Sequence, residues 1–322
     1  MSQVDPSDLR RAARTALRQC MGLESKETCL IVTDAPLRSI GMIFWAEASE
    51  LGAEAMILEM APRQRNGEEP PRVVAEAMKS ARVVLIPTSK SLSHTEARKE
   101  ACKAGARIAS LPGITEECMA RTLVADYDAI AERSIDLAEV LSSGVRVHLT
   151  SARGTDLVMS IEGRIGYPDT GQYLTPGDFG NLPAGEAYIA PVEGTASGVL
   201  VVDGAMAGVG LLAEPLVLHV EDGYVSRIEG GEGRVLLEKA ISGLGRDALN
   251  IAELGIGTND LAVVTGKVLE DEKAMGTVHV AIGNNSGFGG KIKVQSHLDG
   301  ILLSPTLEID GKVVIQDGRY LL

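Results

Sequence analysis

Two histidines and an aspartate in the last fifty residues have the types and spacing that suit a divalent metal. His297 and Asp299 are two residues apart in Lys291–Gly300, which reads as a strand, so both side chains should leave one face. His279 lies across a predicted hairpin from them, in the otherwise apolar segment Gly276–Gly283. Imidazole and carboxylate groups are ordinary ligands of zinc, manganese and iron. The alternatives are a surface His–Asp hydrogen bond and a core histidine with an internal partner.

Two glutamates lie in segments that otherwise read as apolar strands. Glu253 is in Asn250–Gly257, and Glu186 is in Asn181–Pro191. A buried carboxylate without a partner is costly or loses its charge, so each glutamate needs a cation, a hydrogen-bond network or water. The alternative is that each carboxylate faces solvent on an alternating strand. Of the three remaining histidines, His94 opens a helix and is expected to serve its N-terminal turn or an interface, and His148 and His219, on strands, are interpreted as structural.

The elements that must position these side chains fall into two halves. Over residues 1–143, short β-branched runs such as Cys29–Asp34 alternate with amphipathic stretches, which predicts an N-terminal doubly wound parallel α/β domain. Over residues 144–322, alternating strands and turn pairs such as Asp310-Gly311 predict a C-terminal β-rich, mainly antiparallel domain with one inserted helix, Arg234–Leu244. All five candidate ligands fall in this second, metal-binding domain.

Charge and composition disfavour several classes of function. A formal net charge of −13 argues against nucleic-acid and anionic-membrane partners. No Walker lysine motif, ordered Gly-x-Gly-x-x-Gly or Gly-x-Ser-x-Gly elbow occurs. The four cysteines form no Cys-x-x-Cys pair, which is typical of reduced thiols. With no apolar leader at the N-terminus, the expectation is a cytoplasmic protein.

Several short motifs, taken in chain order, resemble the aminopeptidase T family of thermophilic metalloproteases. The motifs are Ser93-His-Thr-Glu-Ala-Arg98, Gly154-Thr-Asp-Leu157 with Gly163-Arg164, Asn181-Leu-Pro-Ala-Gly-Glu186, Asn250-Ile-Ala-Glu-Leu-Gly255, Val278-His-Val-Ala-Ile-Gly283 and Ser296-His-Leu-Asp299. The resemblance covers nearly the whole chain. It implies an α/β domain joined to a β-rich catalytic domain, and a homodimer.

The resemblance also implies a function and a ligand set. The family removes N-terminal residues from peptides with two divalent ions, here zinc, cobalt or manganese, that activate a bridging water. Its metal ligands carry over to Glu186, Glu253, His279, His297 and Asp299. Glu253 and Glu186 would be the catalytic carboxylates, with Glu253 as bridging ligand or proton shuttle. The leading prediction is therefore a dinuclear, metal-dependent aminopeptidase-like hydrolase.

Two other functions stay open. Family peptidases carry a tyrosine shortly after the first metal histidine, but Gly283–Gly290 contains none, and this chain is shorter than the peptidases. The same fold resembles the dihydroxypyridine ring-cleaving dioxygenases, in which two histidines and an aspartate hold one Fe(II). His279, His297 and Asp299 would supply that triad for a hydroxylated aromatic or pyridine substrate. The third function is a non-catalytic family member that binds a metal, a peptide or a small molecule.

Overall fold

The computed structural model describes residues 4–321, which form two compact units. The first unit runs up to Ala129 and includes Gly171–Ala184. The second comprises Ile130–Thr170 and the chain from Gly185 onward. The boundary between the units therefore lies inside a helix, Tyr127–Ser143. The predicted division between residues 143 and 144 stays a prediction.

Helices and strands alternate in the first third of the chain, and strands dominate the rest. The α-helices within residues 4–321 are α1 (Pro6–Thr15), α2 (Arg38–Glu50), α3 (Arg72–Ser80), α4 (Glu96–Lys103), α5 (Glu116–Thr122), α6 (Tyr127–Ser143), α7 (Gly231–Ile241) and α8 (Val268–Asp271). The first strands are β1 (Thr28–Asp34), β2 (Glu54–Met60), β3 (Val83–Ile86), β4 (Arg107–Ser110), β5 (Arg146–Ser151), β6 (Asp156–Ser160), β7 (Tyr167–Asp169), β8 (Phe179–Asn181) and β9 (Glu186–Ile189). The later strands are β10 (Ser197–Val202), β11 (Ala205–Met206), β12 (Gly210–Leu211), β13 (Leu216–Glu221), β14 (Tyr224–Glu229), β15 (Ile251–Gly257), β16 (Val278–Gly283), β17 (His297–Leu302), β18 (Pro305–Ile309), β19 (Lys312–Gln316) and β20 (Arg319–Tyr320).

The first unit is built on a parallel sheet with the strand order β2-β1-β3-β4-β8. Parallel strands covered on both faces read as continuous apolar runs, and the four residues of β3 are all buried. Leu30 and Ile108 pack in one core with Met78 of α3 and Ala101 of α4. The helix starts follow ordinary capping chemistry, since Asp5 caps α1 and Thr95 caps α4.

The second unit contains two antiparallel sheets with one shared apolar core. The eight-stranded sheet has the order β14-β13-β10-β6-β5-β18-β19-β20, and the seven-stranded sheet has the order β12-β11-β17-β16-β15-β9-β7. Leu149 and Leu218 of the larger sheet belong to the same core as Leu254 and Val280 of the smaller one. One face of the seven-stranded sheet is therefore apolar, and strand alternation sends the intervening side chains to its other face. The predicted fold class is confirmed: a parallel α/β sheet with helices accompanies an antiparallel β-rich region.

Two local predictions need correction. The predicted strand Lys291–Gly300 begins only at His297, because the preceding residues form loop contacts instead of a ladder. The inserted helix begins and ends three residues earlier than predicted, at Gly231 and Ile241. Among residues 4–321, no helix combines the length and apolar character needed to cross a bilayer.

Candidate metal centre

All five predicted ligands lie on the polar face of the seven-stranded sheet. Glu186 is on β9, Glu253 on β15, His279 on β16, and His297 and Asp299 on β17. Directly paired residues of antiparallel strands share a face. Glu253 and Asp299 both pair with Ala281, at position i+2 from His279. The sheet register therefore brings together the five residues that the sequence predicted.

Small residues opposite the larger side chains leave room for the cluster. Gly255 pairs with His279, Gly257 with Glu186, and Gly283 with His297. A Cβ atom built on Gly255 would lie 2.0 Å from Nε2 of His279, so the imidazole occupies the space above this glycine. The glycine is required by the close approach of the ring.

Glu253 is the central carboxylate of the cluster. Its Oε1 lies 3.5 Å from Nε2 of His279, and its Oε2 lies 3.1 Å from Nε2 of His297. Nε2 of His297 also lies 3.3 Å from Oδ1 of Asp299, and Nε2 of His279 lies 3.3 Å from Oε2 of Glu186. Two groups have ligand atoms within 4.8 Å of one another: Glu186, Glu253 and His279, and Glu253, His297 and Asp299. Glu253 belongs to both groups.

The hydrogen bonds leave several lone pairs of the cluster without a partner. Nδ1 of His297 lies 2.7 Å from the carbonyl oxygen of Asn284, so this nitrogen donates and the lone pair of Nε2 faces the carboxylates. Oε2 of Glu186 and both ring nitrogens of His279 are buried and have no hydrogen-bond partner within residues 4–321. Such atoms are rare in native interiors unless an ion or water satisfies them. The donor set fits a divalent metal.

Burial and the short contacts shift the pKa values of the cluster. Burial raises the pKa of Glu186 to about 8, although Lys273 opposes this shift. Burial alone would raise the pKa of Glu253, but the close approach of the imidazoles of His279 and His297 outweighs it and lowers that pKa to about 2. Burial would lower the pKa of His279, but Glu253 and Glu186 raise it to about 9. The metal-free cluster therefore retains protons where a metal ion would place positive charge.

A buried lysine next to the cluster was missed by the sequence reasoning. Nζ of Lys273 lies 2.7 Å from Oε1 of Glu186, 2.9 Å from Glu272 and 3.1 Å from Asp169. The lysine follows α8 and ends the charged segment Glu270–Lys273. Charged segments of this kind usually lie on the surface, and this one has no hydrophobic periodicity that would predict burial. The only available signal was a lysine six residues before His279.

Aromatic side chains border the more exposed end of the cluster. The ring of Tyr188 stacks on Tyr167 with centroids 5.7 Å apart and meets the edge of Phe288 at 5.5 Å. Phe288 in turn lies edge-on to the imidazole of His297, at 5.9 Å. The side chain of His297 is 32% exposed, whereas that of His279 is fully buried. A small molecule would therefore approach the cluster beside His297 and Phe288.

The other histidines lie elsewhere in the fold. His148 lies 2.8 Å from Asp156, and His219 lies 2.7 Å from Glu229, each across neighbouring strands of the eight-stranded sheet. His94 is exposed and precedes Thr95, which is the residue that caps α4.

Comparisons with known proteins separate the candidate functions. The chain matches the family described as NicX, 2,5-dihydroxypyridine 5,6-dioxygenase, over residues 8–321. A 2,5-dihydroxypyridine 5,6-dioxygenase of Pseudomonas putida is 26% identical over 248 residues, which cover 73% of this chain and 70% of that protein. The solved 2,5-dihydroxypyridine dioxygenase of Pseudomonas putida has a TM-score of 0.83 at 20% identity and covers 99% of this chain and 98% of that chain. Wild-type AmpT from Thermus thermophilus has a TM-score of 0.72 at 17% identity, with 98% and 99% covered.

These matches correct the leading functional prediction. The predicted metalloaminopeptidase, a hydrolase acting on peptides, is wrong, because the family match and the named relative both indicate a dioxygenase. The alternative prediction is the better supported one. The error has a physical reason: the dioxygenase and AmpT share this fold, so the motifs that build the sheet face do not specify the reaction.

Two further expectations agree with the family. A divalent metal, Fe(II) in a dioxygenase, is consistent with the family and with the Glu, His and Asp groups found here. A small-molecule substrate is also consistent with it. The homodimer and the cytoplasmic location stay predictions. By its match over residues 8–321, the chain belongs to the 2,5-dihydroxypyridine 5,6-dioxygenase family.

Proposed function

We propose that this protein is a non-haem Fe(II) dioxygenase that cleaves the ring of a hydroxylated pyridine. The observation that carries the proposal is a pair of ligand groups on the sheet face that share Glu253 and each contain one imidazole, in a chain of this family. Two histidines and one carboxylate are the ligand set of many non-haem Fe(II) oxygenases, and they leave positions open for other ligands.

The proposed iron ligands are His279, His297 and Asp299. Nε2 of His279 lies 3.5 Å from Oε1 of Glu253, and Nε2 of His297 lies 3.1 Å from Oε2 of the same carboxylate, so Glu253 links the two imidazoles. The hydrogen bond from His297 to the carbonyl of Asn284 keeps this ring in the ligating tautomer. A bound Fe(II) supplies the redox-active centre at which dioxygen and an electron-rich ring react.

Glu253 is the residue we assign to holding a hydroxyl group of the substrate. Its side chain is 8% exposed and lies between the two imidazoles, so it faces any ring hydroxyl that approaches the metal position. Its lowered pKa keeps it anionic at neutral pH, so it can accept a hydrogen bond from a ring hydroxyl and orient that hydroxyl beside the metal ligands. Glu186 contacts Lys273 and the fully buried His279, and so supports the other end of the cluster.

A flat substrate suits the exposed end of the cluster. Only 3% of the chain is aromatic, yet Tyr167, Tyr188 and Phe288 form a continuous row that reaches His297. Aromatic faces and edges favour other planar rings by about 0.5–1.5 kcal/mol per pair. The row therefore gives a hydroxypyridine a surface on which to align beside the metal ligands.

The test is anaerobic loading with Fe(II), followed by elemental analysis and an oxygen electrode with 2,5-dihydroxypyridine. We expect close to one iron per chain and oxygen uptake that depends on both iron and substrate. His279→Ala should lose both, whereas His148→Ala, a histidine outside the cluster, should keep both. Peptide hydrolysis without oxygen uptake, or no iron binding by the native chain, would refute the proposal.

A further inference from the structure

Lys273 is a buried cation that the proposed reaction does not use. Its side chain is 2% exposed, and its Nζ contacts one carboxylate oxygen each of Glu186, Glu272 and Asp169, at 2.7–3.1 Å. An ammonium has three donors, so three acceptors at this distance match its hydrogen-bonding capacity. The lysine thus places one positive charge at a fixed point among three carboxylates.

The sheet face offers positions for two cations. The two groups with metal-ligand spacing share Glu253, and the deeper group ends at Glu186. Oε1 of Glu186 is held by Lys273, whereas Oε2, 3.3 Å from His279, has no hydrogen-bond partner within residues 4–321. The position on the far side of Glu186 from His279 is therefore already filled by a positive charge that belongs to the chain.

We propose that the Lys273 ammonium takes the place of a divalent ion on Glu186, Asp169 and Glu272, at a position next to the group Glu186, Glu253 and His279. The proposal rests on the proposed single-iron site at His279, His297 and Asp299. Two features support it: the ammonium is almost fully buried, and its three partners are all carboxylates. A second divalent ion near this point would meet a like charge at short range in a poorly hydrated environment.

Removal of the lysine side chain should convert this position into a cation site. The carboxylate oxygens around Nζ would then surround a space without positive charge. All-oxygen sites of this kind select Ca²⁺ or Mn²⁺, and Ca²⁺ binds oxygen at about 2.3–2.6 Å. Oxygens now 2.7–3.1 Å from Nζ need to move by only a few tenths of an ångström to reach it.

The experiment compares Lys273→Ala with the native chain by calorimetric titration of Ca²⁺ and Mn²⁺ into iron-loaded protein under anaerobic conditions. We expect the variant to bind one added ion per chain with a Kd of about 10⁻⁴ M, at least tenfold tighter than the native chain. Lys273→Arg keeps the charge and should gain no site, and Lys312→Ala controls for loss of an exposed lysine. In Lys273→Ala, a second change of Glu186→Gln should weaken the new site at least tenfold.

Three outcomes would overturn the proposal. A folded Lys273→Ala that takes up no additional ion would show that the lysine is only structural. Equal uptake by the native chain would show that the ammonium excludes nothing. If Lys273→Ala does not fold alone, refolding with Ca²⁺ or Mn²⁺ should restore it, and failure at every concentration overturns the proposal. If the native chain binds no iron, the proposed function is wrong. That result is distinct from the test of Lys273, which measures whether Lys273→Ala binds an additional Ca²⁺ ion.

Discussion

Replacing Gly255 by alanine adds only one methyl group, yet it should strongly disrupt the candidate metal centre. The imidazole of His279 lies directly over it, and a Cβ at this position would be 2.0 Å from Nε2. Ordinary van der Waals contact begins near 3.4 Å, so in Gly255→Ala the ring and the strand must move apart by about 1.4 Å. A metal ligand tolerates displacements of only about 0.2–0.5 Å.

Two magnitudes follow from this overlap. Displacement of a ligand should cost at least the roughly 10–100-fold in metal affinity that is typical when a supporting residue is lost. Overpacking of this kind costs about 1–3 kcal/mol of stability, which lowers Tm by several degrees in a protein of this size. The loss of iron should therefore exceed what the modest loss of stability can explain.

The assay is an anaerobic competition titration of Fe(II) against a chelator of known affinity, with Tm measured on the same samples. Gly287→Ala is the matched control, because a Cβ at Gly287 would have no heavy atom within 4 Å. Wild-type iron affinity in Gly255→Ala would refute the argument that the ring needs this space. Equal losses in both variants would also refute it.

Three further predictions concern the charge and shape of the cluster. Glu253→Gln keeps the size of the residue but removes the negative charge between His279 and His297. We therefore expect oxygen uptake to be at least about a hundredfold slower. A wild-type rate would exclude Glu253 from the reaction. The Tm of the metal-free protein should fall as the pH rises from about 4.5 to about 9. The folded-state pKa values of Glu186, about 8, and His279, about 9, lie above their unfolded values of 4.5 and 6.5, so the folded state binds more protons in this window. The slope should shrink in Glu186→Gln and in metal-loaded protein, and a flat profile would contradict the assignment. Phe288→Leu should raise KM for the hydroxypyridine by about threefold to tenfold with iron content unchanged, and an unchanged KM would exclude Phe288 from substrate alignment.

The positions of the candidate metal ligands could be predicted because they depend on residues that are close together in sequence. Strand alternation places His297 and Asp299 together, and the short distance along the chain to His279 allows a hairpin, which β16 and β17 form. Glu253 could be recognised as unusual because it interrupts an apolar strand. The glycines opposite these residues belong to the same short motifs, although their steric role became visible only with the register of the sheet.

The segment before His297 could not be predicted from alternation. Its backbone is held by side chains from a distance: the Asn284 amide donates to the carbonyl of Val294, and Oδ1 of Asn285 accepts from the amide of Ile292. Oε1 of Glu193 accepts from the amide of Lys291. Asparagine and glutamate side chains thus make the backbone hydrogen bonds that a neighbouring strand would make in a sheet. The strand propensity of individual residues gives no information about such bonds.

What distinguishes one reaction from another on this sheet lies largely outside the ligand motifs. The histidines and carboxylates would suit one ion or two, because their spacing does not determine the number of ions. The leading prediction of two ions came from the family resemblance. Lys273 adds a charge to the face from the segment that precedes β16, and Phe288 adds an aromatic edge from the loop that follows β16. Each residue has a partner that is distant in sequence: Lys273 contacts Glu186 across 87 positions, and Phe288, in a loop, contacts Tyr188 of β9. Substitutions of Lys273 should therefore change the number of metal ions bound. Substitutions of Phe288 should change only the affinity for the substrate. The two effects should be independent, because the lysine lies at the buried end of the cluster and the phenylalanine lies at the exposed end.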